Sequence, residues 1–371
     1  MKINICFTGG GTAGHVYPGL AVIESLLKLS VEKNIDPEIF WIGSSSGMEK
    51  KLLESKGIEF YGIQTGKLRR YFSFNNFTDI FKIKMGIIKS FFILLRKKPD
   101  VIFSKGGYVS VPPVFAGRML GIPVITHESD YTPGLATKIN KYFSKIILVS
   151  FNETVNFFNR KYQNKIIVTG NPVRKLFYSA DPLRGREYLS LTEKIPVILV
   201  LGGSQGAQEL NYLINKLADL LVKDYYVIHQ TGEKGYSESP DFQHERYRKY
   251  PFLGSEIGDI LAAADLVICR SGAGTILELA AVGKAAIIIP LRGKGTRGDQ
   301  VLNADFMKNN GAAVVMDDDE INPQILYNTV NTLLSERNKI RSMEEAVKLL
   351  DREDSSDLIA EKILILAGDG N

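Results

Sequence analysis

The chain has 371 residues, 44% of them apolar and 23% charged, with a formal net charge of +5. That length suits about two domains, and these ordinary globular fractions exclude wholesale disorder. Its two cysteines, Cys6 and Cys269, each sit in an apolar run, which excludes a disulfide scaffold, and no Cys/His spacing suggests a zinc site.

Met1-Lys2 leads into one strand-length run and then glycines, unlike a secretory signal. No apolar stretch reaches the roughly 18 residues that span a bilayer, so a cytosolic chain is expected. Residues 3–7 read as a first strand, followed by Thr8-Gly9-Gly10-Gly11-Thr12-Ala13-Gly14-His15. A strand, a glycine turn and a helix start present backbone N–H groups and a positive dipole end, which suits phosphate. Gly9, Gly11 and Gly14 also fit the dinucleotide fingerprint, but that pattern needs an acid near the end of the second strand. The second strand, 38–42, runs into Gly43-Ser44-Ser45-Ser46, which disfavours a nicotinamide or flavin enzyme. His15 at the helix start is held neutral by the dipole and is a candidate base, or else it caps the helix.

After a strand at 58–63, the segment from Lys67 to Lys98 carries nine basic residues against one acid, Asp79, interleaved with Tyr71, Phe72, Phe74, Phe77, Phe81, Met85, Phe91 and Phe92. This mixture fits a surface that dips into anionic lipid head groups; it also fits an amphipathic helix with a solvated basic face. No nucleic-acid module accompanies it, so nucleic acid is not an expected partner. Strands at 101–103, 124–126, 146–149 and 166–168 follow. Continuous Val/Ile-rich runs separated by helical segments predict a parallel sheet covered on both faces. Thr169-Gly170-Asn171-Pro172-Val173-Arg174 is linker chemistry, and the domain boundary is placed there, giving domains 1–170 and 171–349. A tail helix at about 350–371 is expected to pack back on the first domain.

The second half repeats the scheme with strands at 197–201, 226–229, 266–269, 285–289 and 312–315. Gly202-Gly203-Ser204-Gln205-Gly206 forms a second glycine cradle after the first of these. Arg270-Ser271-Gly272-Ala273-Gly274-Thr275 leads into a helix that places Glu278 about one turn in. A carboxylate there can accept both hydroxyls of a ribose, and it is also a favourable early-helix acid. Asp299, Gln300 and Asn303 can bracket sugar hydroxyls, or serve as ordinary helix-end residues. Asp317-Asp318-Asp319 superficially matches a metal-binding Asp-x-Asp and reads better as a solvated acidic turn.

Together these segments resemble the MurG family, peripheral membrane transferases that move N-acetylglucosamine from its UDP donor onto a lipid-linked muramyl-peptide to make lipid II. The resemblance rests on residues 9–19, Lys67-Leu68-Arg69-Arg70, Ser104-Lys105-Gly106-Gly107-Tyr108-Val109-Ser110, His127-Glu128, residues 170–174, residues 202–207 and Arg270-Ser271-Gly272-Ala273, in the family's order. It implies an α/β GT-B fold, two Rossmann-like domains with parallel sheets facing a cleft. The C-terminal domain would hold UDP through Arg174, Ser204, Ala273, Gly274, Thr275 and Glu278. Gln300 and Asp299 would hold the sugar, Leu253 or its neighbours would cover the uracil, and Thr12, Ala13 and Gly14 would face the donor. Gly10, Gly11, Gly106, Gly107 and Tyr108 would receive the acceptor diphosphate.

Two departures stand out. The family commonly reads His-Glu-Gln-Asn where this chain has His127-Glu128-Ser129-Asp130, placing Asp130 where an amide usually meets the donor sugar. The segment 252–257 is also one residue out of register. The implied chemistry is an inverting displacement at the anomeric carbon by the muramyl C4 oxygen, with His15 as base and Glu128 second, and with no metal or other cofactor. Implied partners are UDP-N-acetylglucosamine, the lipid-linked acceptor and the anionic inner face of the cytoplasmic membrane, to which the chain would bind peripherally. Rival expectations are a transferase acting on diacylglycerol, a UDP-N-acetylglucosamine epimerase on the same architecture, and a non-catalytic scaffold.

Overall fold

The computed structural model describes the chain except residues 48, 67–74, 203–206, 239–241, 293–297, 317–320 and 369–371, and except the side chains of residues 13 and 75–78. The chain divides into two units, Met1–Arg174 with Asp354–Asn371, and Lys175–Glu353. The division therefore falls after Arg174 rather than after Gly170, because long-range bonds described below hold residues 170–174 to the first unit.

The first unit is built on β1 (Lys2–Thr8), β2 (Asp36–Ser44), β3 (Glu59–Ile63), β4 (Val101–Ser104), β5 (Val124–Glu128), β6 (Ile146–Val149) and β7 (Ile166–Val168). All pair in parallel, in the order β3-β2-β1-β4-β5-β6-β7. Alternation along β1 sends Ile3, Ile5 and Phe7 to one face and Cys6 to the other. The first face packs on the helix Ala13–Glu32 through Val16, Leu20, Ile23 and Leu26, and on the returning helix Ser355–Gly368 through Ile359, Ile363 and Leu364. Each such fully buried side chain contributes about 2 kcal/mol, so the returning helix is a structural part of this unit. Cys6 and Cys269 are free and buried.

The basic, aromatic segment forms the helix Asn75–Lys97. It buries Ser90 and Leu94, while Ile80, Phe81, Met85, Ile88, Phe92 and Leu95 are exposed. An ordinary amphipathic helix would turn those residues inward. Among the described residues no helix is long and apolar enough to cross a membrane.

The second unit carries β8 (Val197–Leu201), β9 (Tyr226–Gln230), β10 (Tyr247–Tyr250), β11 (Leu266–Cys269), β12 (Ala286–Ile288) and β13 (Ala313–Val315). Their order is β10-β9-β8-β11-β12-β13, again parallel. The sequence pattern misses β10, since Tyr-Arg-Lys-Tyr has no apolar run; it is the edge strand beside β9 in the sheet order. Strand order reverses between β1 and β4 in one sheet and between β8 and β11 in the other. In open parallel sheets ligands bind beyond the carboxyl ends of strands at such reversals, and the glycine-rich segments after β1, β4, β8 and β11 all leave those ends.

Candidate active site

In the first unit the β1 and β4 loops interlock. Thr8 lies beside Ser104 in register, so the glycines that follow each strand meet. A Cβ on Gly9 would stand 3.2 Å from Gly106 O, and one on Gly11 would stand 2.7 Å from Tyr108 Cε1. Gly107 has φ +75°, and its Cβ would lie 2.7 Å from Gly10 O and 3.0 Å from His15 Cδ2. Only glycine combines that backbone angle with such close approach. The His15 ring is thus turned against the Gly106–Gly107 loop. Thr12 caps the helix start with extended backbone and no side-chain bond, which leaves the dipole end to a ligand. The fold therefore brings together Gly10, Gly11, Gly106, Gly107, Tyr108 and His15.

Glu128 ends β5 and is buried. Its carboxylate accepts from the Asp130 N–H at 3.1 Å and the Gly134 N–H at 2.8 Å. Burial, and then the Asp130 carboxylate, push its carboxyl up. These bonds engage both carboxylate oxygens of Glu128 in shaping the 128–134 turn. Arg174 lies 4.2 Å from the Tyr17 ring centre, within the first unit.

Two residues of this site escape the sequence pattern. Glu49 is wholly buried, accepting from Ser44 N–H at 2.8 Å and Gly11 N–H at 3.5 Å. Its carboxylate fixes the first glycine loop and helps raise the Tyr108 phenol, after burial. The signal for it is faint, an acid in the first turn of a short helix, Glu49–Glu54. Lys105 is 1% exposed. Its Nζ donates to His127 Nδ1 at 2.9 Å, to Asn171 Oδ1 at 3.1 Å and to Ser129 Oγ. Set between glycines and a serine, it looks in the sequence like any loop cation.

In the second unit, Ser204 lies outside the described residues, as do Asp317, Asp318 and Asp319. After β11, Arg270 donates to Glu209 Oε2 at 2.7 Å and to Ile289 O at 3.1 Å, tying neighbouring strand ends together. The helix Ala273–Val282 begins at Gly272 with no side-chain cap, and among the described residues nothing lies within 4 Å of where a Cβ would sit on Gly272 or Gly274. An uncapped helix start with open space before it is an anion site in form. Ala273, Gly274 and Thr275 form its first turn, and Glu278, half-buried, follows in the second.

Ser271 Oγ donates to Gln300 O at 2.6 Å, and Leu291 N–H donates to Gln300 Oε1 at 3.0 Å. The amide nitrogen is then the part of Gln300 that can meet a ligand; Asp299 precedes it at the first position of the helix Asp299–Asn309. Asn303, by contrast, is wholly buried and donates to Ser271 O at 3.0 Å, so it ties the helix Asp299–Asn309 to the loop after β11. Leu253 is buried and its N–H is taken by Gln230 Oε1 at 2.9 Å, while its neighbour Phe252 is exposed.

The glycosyltransferase family 28 N-terminal domain matches residues 5–149, and the family 28 C-terminal domain matches residues 197–359. With two open parallel sheets and glycine-rich loops at both strand-order reversals, these matches define the class, a two-unit glycosyltransferase. Relatives named UDP-N-acetylglucosamine–N-acetylmuramyl-(pentapeptide) pyrophosphoryl-undecaprenol N-acetylglucosamine transferase are close in sequence. That of Treponema denticola is 44% identical, covering 96% of both chains, and that of Borreliella burgdorferi is 44% identical, covering 98% of this chain and 97% of its own. The crystal structure of Acinetobacter baumannii MurG is similar with a TM-score of 0.72 and 26% identity, covering 98% of this chain and 99% of that one. The chain belongs to the MurG family. A Neisseria meningitidis UDP-GlcNAc 2-epimerase bound to UDP-GlcNAc, at 16% identity and a TM-score of 0.68 over 98% of this chain and all (100%) of its own, shares the fold.

Proposed function

We propose that this chain transfers N-acetylglucosamine from UDP-N-acetylglucosamine to the C4 hydroxyl of the muramyl sugar in a lipid-linked muramyl-peptide, producing lipid II at the cytoplasmic face of the membrane. The observation that carries this is the interlocked pair of glycine loops in the first unit, with the His15 ring set against them. A neutral imidazole there takes the hydroxyl proton as the oxygen attacks the anomeric carbon. The uncapped loops beside it hold the acceptor diphosphate through backbone N–H groups, with Tyr108 flanking.

On the second unit the uncapped start of the 273–282 helix takes the donor diphosphate, Glu278 takes the ribose hydroxyls, and Gln300 with Asp299 meets the sugar. Preorganised N–H groups at that helix start stabilise the charge that grows on the departing UDP. Arg174, Thr12, Gly14 and Asp130, all on the first unit, are the further donor contacts that the family resemblance implies. Exposed Phe81, Met85, Ile88 and Phe92 beside Lys82, Lys84 and Lys89 support docking on an anionic bilayer.

The test is transfer of radiolabel from UDP-N-acetylglucosamine to lipid I, with UDP-glucose as competing donor and diacylglycerol as competing acceptor. Label in lipid II alone supports the proposal. Label on diacylglycerol, or interconversion of the UDP-sugar without acceptor, refutes it.

A further inference from the structure

Lys105 does nothing in the chemistry described above, yet it is almost wholly buried at the carboxyl edge of the first sheet. Its ammonium has three protons to donate, and three side chains accept them: His127 Nδ1, Ser129 Oγ and Asn171 Oδ1. His127 passes the contact on, since its Nε2 lies 2.9 Å from Gly170 O. One tautomer serves both bonds, with Nε2–H donating and Nδ1 accepting, and burial, then the Lys105 charge, keep the ring neutral. The ammonium thus joins the loop after β4, the turn after β5 and the segment after β7 that ends in Arg174.

The charges explain why a cation stands there. The carboxylates of Glu128 and Asp130 both act on the ammonium, and Asp130 also acts unfavourably on Glu128. Without a buried positive charge, two neighbouring carboxylates would share one turn uncompensated, which is strongly destabilising in a desolvated place.

We propose that Lys105 is a positioning residue for the donor: the buried counter-charge that lets a carboxylate stand at position 130 and that holds the 129–130 turn and the 171–174 segment in one arrangement. This rests on the assignment of Asp130 and Arg174 as donor contacts. A lysine that merely filled space would affect melting alone. A counter-charge makes the effect of losing Lys105 depend on whether residue 130 is charged.

The experiment is a double-mutant cycle of Lys105→Met and Asp130→Asn in the full chain, read as kcat, KM for UDP-N-acetylglucosamine, UDP-N-acetylglucosamine affinity by calorimetry, and thermal melting. Lys105→Met alone raises the donor KM and dissociation constant roughly tenfold, in the middle of the range for groups sharing one network. Adding Asp130→Asn recovers most of that loss. Losses that simply multiply in the double variant overturn the proposal, as does a Lys105→Met protein that melts lower but binds donor like wild type.

Should Lys105→Met fail to fold while the double variant folds, the counter-charge is upheld. Should both fail, Asn171→Ala keeps the ammonium and cuts its tie to residues 171–174. A weaker donor affinity then supports the proposal, and wild-type affinity overturns it. Calorimetry and melting need no acceptor, so a wild type that binds donor but makes no lipid II refutes the proposed function while leaving this cycle readable.

Discussion

Gly107→Ala is the sharpest perturbation of the proposed acceptor site. An alanine at φ +75° and ψ 156° stands in a backbone region that essentially only glycine enters, at a cost of about 1–3 kcal/mol, offset by about 0.4–1 kcal/mol from a less flexible unfolded chain. Gly121 offers an open-space control: it shares a positive φ, +76°, and among the described residues nothing lies within 4 Å of its absent Cβ. Gly121→Ala therefore reports an alanine at positive φ without a steric clash. At Gly107 the new methyl would lie 2.7 Å from Gly10 O and 3.0 Å from His15 Cδ2, where ordinary carbon contacts need about 3.5 Å or more. Both neighbours must retreat by about half an ångström or further.

Displacement of a base and a phosphate loop on that scale costs on the order of tenfold to a hundredfold in turnover. The assay is lipid II formation at saturating donor, with melting of both variants measured in parallel. Gly107→Ala should lose turnover with little change in donor KM and should melt lower than Gly121→Ala. Wild-type turnover in a folded Gly107→Ala protein, or equal melting of the two variants, would refute the packing logic and remove His15 from its assigned place.

Glu278→Ala should weaken UDP by about 2 kcal/mol, the worth of a charged hydrogen-bond acceptor, read by calorimetry; unchanged affinity would take Glu278 out of the donor site. Burial pulls the Lys105 ammonium from 10.5 down to about 7 against the opposing pull of Glu128 and Asp130, so the folded chain carries this counter-charge below about pH 7 and sheds it above. Donor affinity of wild type should therefore fall as pH rises from about 6 to about 9, a dependence absent from Lys105→Met, and parallel profiles of the two proteins would contradict the counter-charge. Phe81→Ser and Phe92→Ser should each cut sedimentation with anionic vesicles, at up to about 2 kcal/mol per exposed aromatic; binding that stays at wild-type level would exclude this helix as the membrane face.

Much of the architecture could be read along the chain, because a buried parallel strand and a glycine turn are both local patterns. The runs at 197–201 and 266–269 are strands with the bounds their apolar stretches suggest. The turns that follow β1 and β4 announce themselves by glycines whose backbone few other residues adopt. Local pattern fails where partners are remote. Tyr247–Tyr250 becomes a strand because β9 offers it an edge, and Asn303, polar and near a helix start, is drawn into the interior by Ser271 O.

The boundary moved past Arg174 for the same reason, since Lys105 and His127 hold Asn171 and Gly170 from positions more than 40 residues away in the chain. Residue order alone thus dictated the apolar strands, the glycine turns and the family. Which charges are buried, and against what, came from long-range pairing: desolvation depends on neighbours in space, and no local spacing announces that Lys105 would lie beneath three strand ends with every proton taken.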